Sequence, residues 1–241
     1  MLYGGVCYVL MLATLIYLFL FLTNVWVPKG IDVGEQGPFT ESLLINIGLI
    51  LLFAVQHSLM ARPAFKKVWT KVISPPVERS TYVLMSSVVL MIIFWQWRPM
   101  GPYIWDSHSA LMYGTMYALY LGGAYLLVAA TFMTDHFDLF GFRQVWMHLW
   151  GQEYTHPPFR VRWLYRYVRH PIYLGVLLML WATPHMSVGR AVFATGMTLY
   201  ILIGVYYEER DMIKHAGDAY KEYREKVPML FPLPGKSHPR V

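Results

Sequence analysis

Uninterrupted apolar runs dominate this chain, and they leave few folds open to it. Residues 4–27, 42–60, 80–97 and 109–133 are each long enough, at about 1.5 Å per helical residue, to approach the roughly 30 Å of a bilayer core. In hydrocarbon every backbone polar group must be satisfied internally, so such runs become helices. Only 14% of residues are charged, against about 25% in soluble domains, while 56% are apolar and 17% aromatic. The sequence therefore predicts an all-α polytopic membrane protein. The first run lacks a basic leader and a small-residue cleavage site, which makes it a retained span. A single cysteine, Cys7, rules out a disulfide framework or a cysteine metal cluster. The formal charge of +6 does not point to nucleic acid, because the basic residues occupy short loops between spans, as membrane orientation requires.

Loop charge sets the orientation. Segments 61–79 and 134–169 carry five basic residues each, whereas 28–41 and 98–108 carry one each. The positive-inside rule puts the two basic loops and both termini in the cytoplasm, consistent with a bacterial inner membrane. The fourth span also carries small residues, Gly114, Gly122, Gly123 and Ala124, suited to close helix contact.

The last apolar region differs from the others. Pro171 fits the first turn of a helix that starts at His170 or Pro171 and breaks at Thr183-Pro184-His185. A second helix, from Val188 to about Tyr207, then returns the chain. The first arm spans about thirteen residues, roughly 20 Å, too short for an ordinary crossing. The expected architecture is thus four ordinary spans plus a C-terminal hairpin, five or six membrane helices in one domain over residues 1–241. Segment 134–170 is a cytoplasmic cap rich in aromatic residues, including Trp146, Trp150, Tyr154 and His156, with a turn at Pro157-Pro158. Segment 171–211 is the hairpin with its acidic pair, and 212–241 is a cytoplasmic tail, partly an amphipathic helix and loose at its end.

The hairpin's return brings Glu208 and Glu209 back to Arg169 and His170, a two-signed cluster at one mouth of an apolar hairpin. Charged groups so near a membrane interior are functional candidates by default. A zwitterionic nucleoside suits them: its carboxylate pairs with arginine, its ammonium or ribose hydroxyls with glutamate, and a sulfonium with a carboxylate or the faces of Tyr173 and Tyr207. Simpler alternatives are a salt bridge from Glu208 to Arg210 or Arg166, and an arginine reaching to lipid phosphate.

The run Arg169-His170-Pro171-Ile172-Tyr173-Leu174-Gly175, with Glu208-Glu209 one hairpin later, resembles the S-adenosylmethionine signature of the membrane methyltransferases that include isoprenylcysteine carboxyl methyltransferase and the phospholipid methyltransferases. The runs at 55–63 and 76–82 resemble the NnrU-like branch of that family, and the likeness extends over about residues 40–230. It implies cofactor contacts at Arg169, His170, Pro171, Tyr173, Gly175, Glu208 and Glu209, with Gly175 either admitting the ligand to the helix backbone or packing helices, beside the aromatic face already offered by Tyr207. It also implies methyl transfer to a small thiol, methanethiol, giving dimethyl sulfide and S-adenosylhomocysteine.

Attack by a thiol requires removal of its proton, since the thiolate is the nucleophile. His57 leads as the base because imidazole titrates near neutrality, with Tyr167 a second candidate and Arg62 beside them. No metal is required. Competing readings are methylation of a lipid amine or a prenylcysteine carboxylate, a non-enzymatic NnrU-like protein, and a transporter. Haem ligation by His57, His108 or His136 has only scattered spacing behind it. No obligate protein partner is evident.

Overall fold

The computed structural model describes residues 1–155, 159–234 and 236. His156, the Pro157-Pro158 turn and the far end of the tail lie outside the described residues.

Five helices are long and apolar enough to cross a membrane: α1 (Leu2–Thr23), α2 (Phe39–Ala61), α4 (Pro75–Gln96), α5 (Ala110–Thr134) and α9 (Val188–Ala216). The short α8 (Pro171–Trp181) is the apolar first arm of the hairpin. The protein is an all-α integral membrane protein, and a two-stranded sheet, β1 (Tyr103–Asp106) with β2 (His185–Ser187), is the strand structure among the described residues. Shorter helices are α3 (Pro63–Trp69), α6 (His136–Leu139), α7 (Phe142–Leu149) and α10 (Asp218–Lys226).

Local chemistry explains the ends. Asn24 closes α1 in the left-handed region, which its short polar side chain tolerates. Prolines open α3, α4 and α8 at their first turns, where no N–H is missed. The hairpin break falls at 182–187, as its sequence requires. Two extents differ from the sequence expectation: α8 has 11 residues, and α9 continues past Tyr207 to Ala216. The charged turn at 208–215 stays helical because nothing in it breaks a helix before Gly217, whose φ is +59°.

The chain forms two compact units. Unit 1 comprises Met1–Asp106, Phe137–Thr155 and His185–Gly196. Here α1, α2 and α4 pack together, with Phe21, Ile93, Trp97 and Phe193 fully buried. Tyr8 on α1 meets Phe137, Phe140 and Phe142, so part of the aromatic 134–170 segment is packed against this helix. Gly141, at φ +84°, lies against the α4 backbone at Ser80, and Ser80 Oγ donates to its carbonyl at 3.0 Å.

Unit 2 comprises Ser107–His136, His156–Pro184 and Met197–Val241. Its centre is the α5–α8 pair. A Cβ built on Gly175 would lie 2.6 Å from the Gly123 carbonyl oxygen, and one on Gly123 would lie 2.7 Å from that of Gly175. Each glycine thus makes room for the other helix's backbone. Of the small residues on α5, Gly123 makes this contact, while Gly114 and Gly122 face open space. In the tail, Tyr220, Tyr223 and Val227 form a buried face along and just past α10, and Leu230 is buried beyond it.

Candidate functional site

The Arg-His-Pro run and the acidic pair meet in unit 2. Pro171 fixes the first turn of α8, and His170 precedes it with non-helical backbone (φ −126°, ψ 64°). The tail holds this entry: the backbone N–H groups of Arg169 and His170 donate to the carbonyls of Pro228 (2.9 Å) and Met229 (3.1 Å). On α9, residues 208 and 209 stand about 100° apart around the helix axis, so their carboxylates take different surroundings.

Glu209 faces inward and is 8% exposed. Its Oε1 accepts from Arg169 Nε at 2.7 Å and contacts His170 Nε2 at 3.1 Å, while Arg224 Nε lies 3.8 Å from Oε2. Arg169 Nη1 donates to the carbonyls of Arg224, at 3.0 Å, and Val227. Carboxylate, guanidinium and imidazole therefore satisfy one another, which is what buried charges require.

Glu208 faces outward. Among the described residues its hydrogen-bond partner is the Tyr173 hydroxyl, which donates to Oε2 at 2.8 Å. The carboxylate keeps most of its acceptor capacity. The salt bridges weighed for it do not form: Arg210 instead lies over the Tyr206 ring, 5.6 Å from its centroid, and donates to its hydroxyl at 3.4 Å. Phenols complete the surroundings. Burial pushes the Tyr165 hydroxyl up from its ordinary pKa, opposed by its hydrogen bond with Thr134 (2.7 Å) and reinforced by the Glu208 charge. Burial first, then Glu209 and Glu208, raises Tyr220, and burial likewise raises Tyr223, whose hydroxyl donates to the Tyr165 carbonyl at 2.6 Å. The two carboxylates thus sit among neutral hydroxyls.

Each candidate residue has a definite place. Arg169 spends its Nε on Glu209 and its Nη1 on the carbonyls of Arg224 and Val227. Gly175 has its Cβ space filled by the α5 backbone, the packing arrangement of the two weighed for it. Pro171 is buried and shapes the entry. Tyr207 is exposed with its ring against Tyr206, Tyr167 is 54% exposed, and the Tyr165 hydroxyl is held by Thr134. The sequence reading missed Tyr165, Tyr220, Tyr223 and Arg224. The spacing of Tyr220, Tyr223 and Val227, one face of a helix, was the signal for part of that set.

His57 and Arg62 belong to unit 1. His57 Nδ1 lies 3.0 Å from Ser86 Oγ and Nε2 lies 2.7 Å from the Tyr82 hydroxyl. Its ring stacks on Phe53 with centroids 5.1 Å apart. Arg62 stands in extended backbone at the joint between α2 and α3. His136 is held by Thr131 (2.8 Å) and stacks on Phe132, and burial holds its pKa below the usual value.

The sequence can now be set beside known proteins. The methanethiol S-methyltransferase of Crocosphaera subtropica is 44% identical over 236 residues, 98% of this chain and 92% of that one. The methanethiol S-methyltransferase of Mycobacterium tuberculosis is 43% identical over 232 residues, 96% and 95% of the two chains. Nurim of Xenopus laevis is 38% identical over 165 residues, 65% of this chain and 58% of its own. No solved structure matches the chain. The NnrU protein family matches residues 45–230, a stretch that takes in His57, the α5–α8 pair and both glutamates, and with these near full-length relatives it shows that the chain belongs to the NnrU family.

Proposed function

We propose that this protein is an S-adenosylmethionine-dependent methyltransferase that converts methanethiol to dimethyl sulfide. The relatives' names support the reaction class and acceptor. The observation that carries the donor is Glu208: an exposed carboxylate oriented by Tyr173, next to an ion cluster that is already satisfied.

The residues present fit that donor. Glu208 can accept from an ammonium or from ribose hydroxyls, and Tyr173, Tyr165 and Tyr207 offer hydroxyls and aromatic faces near a cationic ligand. Arg169, His170, Glu209 and Arg224 keep the wall rigid, which lowers the ordering cost of binding. When bound, S-adenosylmethionine supplies an electrophilic methyl group on a sulfonium. The protein must then supply thiolate, and His57 is the proton acceptor for it, with Arg62 and Tyr167 as lesser contributors. Positioning of donor and acceptor for in-line displacement supplies the remaining acceleration. Both termini and the basic segments at 61–79 and 134–169 face the cytoplasm by the positive-inside rule.

A headspace assay with methanethiol and S-adenosylmethionine tests this reading, run in parallel with a prenylcysteine and a lipid amine. Dimethyl sulfide formation is expected. Turnover of a large acceptor without dimethyl sulfide removes the thiol assignment, and no turnover of any acceptor, with no S-adenosylhomocysteine binding, removes the methyltransferase reading.

A further inference from the structure

Three side chains on α2 and α4 form a chain of hydrogen bonds whose direction can be worked out. Ser86 Oγ donates its single proton to the Tyr82 carbonyl one turn back, at 2.9 Å. Toward His57 it can then only accept, so the hydrogen of the imidazole is on Nδ1, 3.0 Å away. Nε2 is left with its lone pair, and at 2.7 Å the Tyr82 hydroxyl donates to it. The basic atom of His57 therefore faces a phenol. Any base chemistry at His57 passes through Tyr82. The Arg79 guanidinium stands 4.9 Å from the Tyr82 ring centroid and is fixed by its Nε bond to the Leu139 carbonyl (2.8 Å), which holds the phenol ring in place.

A second observation points to a small guest at the same place. Tyr82 is buried in a cluster with Met60, against which Trp69 packs. The Gln56 amide donates to Met60 Sδ at 3.1 Å, but among the described residues Gln56 Oε1 is buried without a hydrogen-bond partner, and so is the Trp69 indole N–H. Buried polar atoms left unmade are costly, and here one acceptor and one donor stand in otherwise apolar surroundings. A small thiol, apolar in body with one weak donor and one weak acceptor, suits them.

We propose that Tyr82 is the catalytic residue that takes the thiol proton, that His57 acts through it, and that Gln56, Met60 and Trp69 hold the thiol. The inference rests on the thiol methyltransferase reading. The thiol S–H proton passes to Tyr82 Oη as the proton of Tyr82 passes to His57 Nε2, leaving an imidazolium. The electron pair of the thiol sulfur forms the new S–C bond, and the pair of the broken S–C bond stays on the donor sulfur. The imidazolium returns its proton to solvent through the same phenol. Ser86 is a positioning residue that fixes the tautomer.

The test uses the full chain in lipid nanodiscs, with S-adenosylhomocysteine titration as the control for folding and formation of the methyl thioether as a function of pH as the readout, dimethyl sulfide from methanethiol and methyl trifluoroethyl sulfide from trifluoroethanethiol. Tyr82→Phe should bind S-adenosylhomocysteine within about twofold of the parent and lose about 100-fold in kcat at pH 7. The loss should shrink as pH rises, and should nearly vanish with trifluoroethanethiol, which is largely ionised in mild alkali. His57→Gln, which keeps an acceptor for Tyr82 but no basicity, should show the same rescue. Ser86→Ala should show a smaller kcat loss, with KM little changed. Full activity of Tyr82→Phe at pH 7, or a loss that neither pH nor the acidic thiol relieves, overturns the proposal while leaving the reaction intact. If Tyr82→Phe fails to bind S-adenosylhomocysteine, the His57→Gln profile decides in the same way. Dimethyl sulfide absent from the parent protein itself would instead remove the underlying reading.

Discussion

Two buried ion clusters, one in each unit, are built alike and differ in one respect. In unit 1, Asp32 accepts from Arg190 Nη2 at 2.8 Å and Nε at 3.1 Å, from Asn24 Nδ2 at 3.0 Å and from the Ser187 hydroxyl. Ser187 Oγ also accepts from the Arg190 backbone N–H at 3.0 Å, and Asn24 Oδ1 from that of Asp32 at 3.0 Å. The cluster ties a loop to the start of α9. In unit 2, Glu209 is held by Arg169, His170 and Arg224, but the preceding residue on α9, Glu208, is a second carboxylate with one hydrogen-bond partner among the described residues. A closed ion cluster is scaffolding. A closed cluster that fixes an open neighbour is what the proposed donor site requires.

The largest expected effect tests the scaffolding half. Asp32→Ala leaves Arg190, 4% exposed, without its counter-charge, and removing one partner of a buried pair costs about 3–5 kcal/mol. Thermal unfolding in detergent should show a collapse of stability for Asp32→Ala and for Glu209→Ala alike. If Glu209→Ala left stability intact, the likeness between the clusters would be broken.

Next in size is the helix contact that places the site. Gly175→Ala puts a methyl group 2.6 Å from the Gly123 carbonyl and 2.7 Å from the Leu127 nitrogen, both backbone atoms, and overpacking of this sort costs about 1–3 kcal/mol. Gly122→Ala, facing open space, should be neutral or slightly stabilising by helix propensity. Equal behaviour of the two variants in thermal unfolding would contradict the packing role assigned to Gly175.

A smaller effect sharpens the binding half. Tyr173→Phe removes the hydrogen bond that orients Glu208, about 1 kcal/mol, and should weaken S-adenosylhomocysteine binding roughly fivefold with little change in melting temperature. A large loss of stability without a loss of affinity would move Tyr173 into the scaffold.

How much of this was legible follows from which interactions are local in sequence. Apolar runs reveal spans because each must satisfy its own backbone, and Pro171 and the 182–187 break mark the hairpin because proline acts on its immediate neighbours. The meeting of Arg169 and His170 with Glu209 was readable from that hairpin alone. What a sequence does not carry is direction around the helix when both neighbours are acidic: Glu208 and Glu209 look interchangeable, and packing decides that one faces in. The tail's hold on Arg169 and His170 depends on backbone carbonyls at Pro228 and Met229, which have no residue signature. The Asp32–Arg190 cluster was partly readable, since Arg190 is a charge on an apolar arm, but its partner is 158 residues away in a turn-rich loop. His57 pointed to Ser86 and Tyr82 only after α2 and α4 were packed side by side.

The most direct measurement is a calorimetric titration of S-adenosylhomocysteine into Glu208→Ala, with the melting temperature of the same preparation. Glu208 is exposed and outside the ion cluster, so the variant should melt within a degree or two of the parent while binding at least tenfold more weakly, about 1.4 kcal/mol. Unchanged affinity in a protein that melts like the parent would contradict the assignment of this carboxylate, and with it the donor site, to the mouth of the hairpin.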